Sequence, residues 1–274
     1  MIFKTINFSE NPNSCLEAYI HSPHDELKIG KRKAIIVCPG GGYEMLSERE
    51  AEPIALQYFA AGLNAFVLRY PIRSDAKDYA PLIEACLAIR HLRKNCEELY
   101  VDPDFIYITG FSAGGHLAAS AGTLWHIDEV QKLISDDAPE ICKPTATVLC
   151  YPVITNNPRY RHKGSILTVN GYRDDEESMN RFSLDDLVDE KTAPAFLWHT
   201  AKDSVVPVQN SLLYATKLAE YRIPFELHIH PNGDHGLALC NEETWSQGPG
   251  WVIPYNENWI KYAIKWVKEA PFKN

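Results

Sequence analysis

The chain has 274 residues, 45% of them hydrophobic and 23% charged, an ordinary globular composition that suits one large α/β domain or two small ones. Its formal net charge of −9 argues against nucleic acid and against an anionic membrane surface as partners. No apolar run approaches the ~20 residues that a membrane-spanning helix requires.

Residues 1–10 lack the basic head and apolar core of a secretory signal. The seven cysteines, at positions 15, 38, 86, 96, 142, 150 and 240, are odd in number and never spaced C-x-x-C. Cys38 and Cys150 lie inside apolar runs, where a thiol behaves as a small hydrophobe. A reduced, cytoplasmic protein is therefore expected.

In chain order, the runs 3–8 and 15–20 have no helical pattern between them and predict an antiparallel hairpin at a sheet edge. Buried strands are expected over 34–38, 65–68, 105–109, 146–151, 195–199 and 225–230. Ser47-Glu48-Arg49-Glu50 reads as a capping box. It would open a helix with Ala51, Ile54, Ala55, Tyr58 and Phe59 inward, ended by Gly62. A second helix follows Pro81, with Ala85, Ala88, Ile89 and Leu92 on one face. A third follows Pro207 and carries Leu212, Ala215, Thr216 and Ala219, and the last aligns Trp259, Tyr262, Ala263, Trp266 and Val267. Such alternation predicts a single α/β domain over 1–274, its mostly parallel sheet covered on both faces. The segment 155–192 breaks the rhythm and reads as a small cap insertion.

The most informative stretch is Gly110-Phe111-Ser112-Ala113-Gly114, which follows a β-branched run and precedes small helix-forming residues. A strand, sharp turn and helix of this kind hold a serine on strained backbone with its hydroxyl exposed to a pocket. A serine hydroxyl is a weak nucleophile and needs a base, which in turn needs an orienting acid. Asp203 follows the strand 195–199 and His235 follows the strand 225–230, so both lie on strand-end loops. The order Ser112, Asp203, His235 makes these the candidate catalytic residues; Asp234 and Asp175 are weaker candidates for the acid. Acyl transfer also needs N–H donors facing the developing oxyanion, and Ala113 should supply one. The loop Pro39-Gly40-Gly41-Gly42-Tyr43 should supply the other, through an amide of Gly41, Gly42 or Tyr43.

His228 and His230 alternate on a strand, but a closed metal site needs four placed ligands, and packing accounts for them better. His116 reads as a structural hydrogen-bonder, and Arg69 and Tyr70 as strand-end support. Trp245 and Trp251, in the loop after His235, are candidate substrate contacts at the pocket mouth.

Together these residues resemble the α/β-hydrolase superfamily, within it the acetyl-xylan-esterase-like carbohydrate esterases related to the hormone-sensitive-lipase and dienelactone-hydrolase branches. The resemblance covers about 33–268 and rests on Pro39–Tyr43, Leu68-Arg69-Tyr70, Gly110–Leu117, Asp203–Pro207 and Asp234-His235-Gly236. It implies an α/β-hydrolase fold with an eight-stranded sheet, no metal or cofactor, and hydrolysis of short-chain, especially acetyl, esters of small molecules. One departure is Pro39, where lipases and esterases often carry His. An aryl-formamidase or small-peptide hydrolase could use the same triad, and no oligomeric state, a homodimer included, is selected by the sequence.

Overall fold

A computed structural model describes residues 1–134, 137–246 and 251–269. The β-branched and aromatic runs form strands β1 (Ile2–Ile6), β2 (Cys15–Ile20), β3 (Arg32–Cys38), β4 (Asn64–Arg69), β5 (Val101–Phe111), β6 (Thr147–Cys150), β7 (Ala195–Thr200) and β8 (Phe225–His230). They make an eight-stranded sheet in the order β1-β2-β4-β3-β5-β6-β7-β8. β2 runs antiparallel to β1 and β4, and every other pairing is parallel. The predicted edge hairpin is present, ending at Ile6 rather than Phe8. The parallel strands consequently deliver their carboxyl ends, and the loops that follow, to one rim.

The helices are α1 (Glu52–Ala60), α2 (Ala80–Lys94), α3 (Ala113–Thr123), α4 (Asp128–Gln131), α5 (Lys163–Val169), α6 (Glu176–Asn180), α7 (Gln209–Glu220) and α8 (Trp259–Glu269). One sheet face is buried under α1 and α8 through Ile54, Tyr58, Trp259 and Val267. The other lies under α2, α3 and α7 through Ile89, Leu92, Leu117 and Leu218. Removing such side chains from water is the main stabilising term, about 1.5–3 kcal/mol for each large one.

Three helical expectations are corrected. Ser47 makes no capping hydrogen bond, and the turn Glu48–Glu50 is a separate 3₁₀ element before α1, which opens at Glu52 with a proline in its first turn. Glu50 is not a cap but a carboxylate only 3% exposed. It accepts the Gly40 N–H at 2.9 Å and the Tyr151 hydroxyl at 2.7 Å. On α7 the buried face is Asn210, Ser211, Tyr214, Ala215 and Leu218, whereas Leu212, Thr216 and Ala219 face solvent. The apolar pattern misled because the buried polar residues there are hydrogen-bonded: Ser211 to His199, Tyr214 to Thr123, and Asn210 to Ile154, Thr155 and Tyr160. On α8, Tyr262 leaves the inner stripe and stacks on His228 at 5.0 Å.

The segment 155–192 lies between β6 and β7 and carries α5 and α6. Ile166, Val169, Met179, Phe182 and Leu184 sink from it into the core, Phe182 beside His116 of α3. Asn210 pins its start, accepting from the Ile154 and Thr155 amides at 2.9 and 3.1 Å. Its charge clusters stay outside as exposed pairs such as Lys163–Asp174 and Arg161–Glu176, which add little stability.

Glycine is obligatory where β5 meets α3. A Cβ at Gly110 would stand 1.9 Å from the Gly114 carbonyl oxygen, and one at Gly114 would stand 2.2 Å from that of Cys38. Backbone cannot step aside as a side chain can. Gly110→Ala should therefore lower the unfolding free energy in urea by at least about 2 kcal/mol. Gly30→Ala, with nothing within 4 Å of the new methyl group, should stay within about 0.5 kcal/mol of the parent.

Candidate active site

Ser112 joins β5 to α3 at φ 54° and ψ −117°. A non-glycine residue held there costs roughly 1–3 kcal/mol, so its surroundings must over-determine it. Its N–H donates to the Cys150 carbonyl at 3.0 Å, and its own carbonyl accepts from His116 and Val153 at 3.0 and 3.1 Å. The turn is thus tied to both β6 and α3, and its hydroxyl is aimed at the rim.

The structure brings Ser112, His235 and Asp203 together. Ser112 Oγ lies 2.8 Å from His235 Nε2, and His235 Nδ1 lies 2.7 Å from Asp203 Oδ2. An ionised carboxylate only accepts, so Nδ1 carries the proton and Nε2 offers its lone pair to the serine hydroxyl. Asp203 is buried, and its other oxygen accepts the amides of Val205 and Val206 at 3.0 and 2.8 Å. Burial by itself would raise the Asp203 carboxyl, but hydrogen bonds from His199 and His235 outweigh it and hold the group well below the ordinary carboxylate range. His199 Nε2 stands 2.9 Å from the Val206 carbonyl and 3.3 Å from Asp203, so it donates; its Nδ1 then accepts from Ser211 at 2.8 Å.

The competing acids are engaged elsewhere. Asp234 accepts from the Ser204 amide and hydroxyl at 3.1 and 2.8 Å and from the His235 amide at 2.9 Å, which latches the acid loop to the histidine loop. Asp175 caps α6 through the Ser178 amide.

After β3 the chain turns through positive φ at Gly41 (126°), Gly42 (68°) and Tyr43 (64°). The amides of these three residues and of Ala113 donate to no acceptor among the described residues. Tyr43 is fully buried, and its hydroxyl lies 2.8 Å from His116 Nδ1, while His116 Nε2 lies 3.0 Å from the Phe182 carbonyl. The carbonyl only accepts, so Nε2 bears the proton and Tyr43 donates to Nδ1. Tyr70 supports the same loop by donating to the Pro39 carbonyl. Arg69 forks between Glu17 and Glu48.

Of the two tryptophans, Trp251 lies beside the histidine loop, with the Arg49 guanidinium 4.9 Å from its ring and 3.5 Å left for a Cβ at Gly236. Trp245 is 45% exposed and makes no ring or polar contact among the described residues. His228 pairs with Glu226 at 2.6 Å, and His230 packs between Trp198 and Tyr255.

Two polar residues at the site escaped the sequence reading. His199 sits inside the apolar run of β7, where a lone histidine was itself a signal of a buried polar contact. His162 caps α5, accepting the Ser165 amide at 3.3 Å on Nδ1, which leaves its proton on Nε2. Burial holds its imidazole below the usual range; His235 presses it further down and Asp203 opposes this. It lies in the aperiodic segment, where no spacing marks it.

A mostly parallel sheet in this strand order, with its serine turn after β5 and its acid and histidine after β7 and β8, is the α/β-hydrolase fold. The BD-FAE family matches residues 20–218, and the chain belongs to that family. Endo-1,4-beta-xylanase B of Butyrivibrio fibrisolvens is 39% identical over 243 residues, covering 86% of this chain and 36% of the relative. The acetylxylan esterase of Xylanibacter ruminicola is 28% identical over 235 residues, 84% of this chain and 45% of the relative. The chain therefore spans less than half the length of these two curated relatives. The solved acetyl ester-xyloside bifunctional hydrolase of Caldicellulosiruptor lactoaceticus superposes with a TM-score of 0.83 at 37% identity, covering 99% of this chain and 97% of that one. No helix among the described residues is long and apolar enough to cross a membrane, and all seven cysteines are free thiols.

His116 yields a pH prediction. Burial pushes its imidazole down to about 4, with the Phe182 carbonyl pulling the other way, against about 6.5 in an unfolded chain. Between those values the unfolded state takes up a proton that the native state refuses. Stability is thus intact above pH ~6.5 and falls as pH drops towards 4, by about 3 kcal/mol in all. Urea unfolding should show stability falling across that window, and His116→Gln, which cannot titrate, should make the fall shallower by the share of this one group.

Proposed function

We propose that the chain is a serine carboxylic ester hydrolase that removes acetyl groups from small carbohydrate esters. The observation that carries the reading is the unbroken chain from Ser112 Oγ through His235 to Asp203, at 2.8 and 2.7 Å, beside unused amides.

In this mechanism His235 Nε2 takes the hydroxyl proton as Ser112 Oγ bonds to the ester carbonyl carbon. The carbonyl electrons move onto oxygen, where Ala113 and an amide from the Gly41–Tyr43 turn receive the charge. Asp203 stabilises the imidazolium and keeps its tautomer. The C–O bond to the alcohol then breaks, and the alcohol leaves with the proton from His235. Water repeats the sequence on the acyl-serine, releasing the carboxylate and restoring Ser112. Trp251, beside Gly236 on the histidine loop, would stand at the edge of the substrate site.

Support for the acyl group and the alcohol comes from the names of the relatives, an acetylxylan esterase and an acetyl ester-xyloside hydrolase. Support for the chemistry comes from the geometry.

Ser112→Ala should lower kcat on p-nitrophenyl acetate by about 10⁴–10⁶. The variant should also lose labelling by a fluorophosphonate, whose mass in the parent should fall on the peptide containing Ser112. Ordinary turnover by a folded Ser112→Ala protein would sink the mechanism. Across p-nitrophenyl esters of increasing acyl length, kcat/KM should be highest for acetate; a flat series would remove the acetyl preference and leave the hydrolase.

A further inference from the structure

We infer that Glu50 is a positioning residue that sets the oxyanion loop against the histidine loop, an inference that rests on the ester-hydrolase reading above. Glu50 is 3% exposed and has no cationic partner among the described residues. Its neighbour Arg49 turns away, donating to the Gly236 and Thr244 carbonyls. Burying a carboxylate without a counter-ion costs several kcal/mol, and an apolar side chain would fill the same space more cheaply.

Each Glu50 oxygen is used on a different part of the site. Oε2 accepts the Gly40 N–H at 2.9 Å, one residue before the Gly41–Tyr43 turn. A Cβ at Gly40 would lie 2.7 Å from that oxygen, 2.6 Å from the Phe111 carbonyl and 3.1 Å from Ser112 Cβ. Gly40 is therefore wedged between the carboxylate and the nucleophile turn, and the carboxylate fixes the plane from which the next amides project. Oε1 accepts the Tyr151 hydroxyl at 2.7 Å. That hydroxyl in turn accepts the Ala238 amide at 2.9 Å, three residues past His235, and the Tyr151 ring meets the His235 ring edge-on at 5.0 Å. One carboxylate thus spans the donors for the oxyanion and the support of the base.

An amide cannot replace it. Gly40 and Tyr151 both present protons, whereas glutamine offers one oxygen and one NH₂. For Glu50→Gln, kcat on p-nitrophenyl acetate per fluorophosphonate-titrated site should fall about 10–100-fold, with KM within about threefold. Affinity for a trifluoromethyl ketone, which forms a hemiketal oxyanion on Ser112, should fall in parallel. Tyr151→Phe, which removes one of the two bonds, should move both quantities the same way by a smaller factor. A role confined to stability would lower the melting temperature and the titratable fraction while leaving kcat per site and ketone affinity unchanged, and that result overturns the inference. If Glu50→Gln does not fold, Tyr151→Phe decides by the same two measurements. A parent protein without Ser112-dependent turnover fails at an earlier step, and overturns the ester-hydrolase reading rather than the Glu50 assignment alone.

Discussion

The site depends on how closely backbone can approach backbone where β5 runs into α3. A side chain at Gly110 would strike α3 at Gly114, one at Gly114 would strike the Cys38 and Pro39 carbonyls after β3, and one at Gly115 would strike Pro152. Closing that gap forces Ser112 into positive φ, and hydrogen bonds from its own peptide groups to β6 and α3 keep it there. The strain is local and is carried by a packed sheet with large aromatic side chains such as Phe111 and Trp198 beneath it. Everything else at the rim is arranged around a hydroxyl that this turn makes rigid.

Around it, polar groups fix one another's proton positions. Asp203 orients His235, His199 and Ser211 orient Asp203 from behind, and Phe182 sets the tautomer of His116, which then holds Tyr43. In each ring one nitrogen faces a carboxylate or carbonyl that can only accept, and this fixes the role of the other nitrogen towards its hydroxyl partner. Low exposure strengthens these bonds and makes a missing partner costly, so the network specifies a single arrangement.

Much of this was legible in the chain. Strand positions follow from apolar runs, and Ser112, Asp203 and His235, which lie within hydrogen-bond reach of one another, each stand just past a strand. What the sequence does not disclose depends on contacts distant along the chain. Ser47 to Glu50 has the letters of a capping box, yet its carboxylate is claimed by Tyr151, 101 residues later. On α7 the apolar spacing pointed outwards because Asn210, Ser211 and Tyr214 are buried for their hydrogen bonds rather than their hydrophobicity. His162 lay in a segment without period, where only the folded path of 155–192 brings it near His235.

Asp234 stands outside the relay, yet its grip on Ser204 and on the His235 amide joins two loops that begin on adjacent strands. Those loops must therefore travel as one jaw. A thermal excursion that would slide acid past imidazole has to break the latch first. Redesign of the rim by loop grafting would accordingly need to transplant both loops together, since either alone would arrive with half of a clasp.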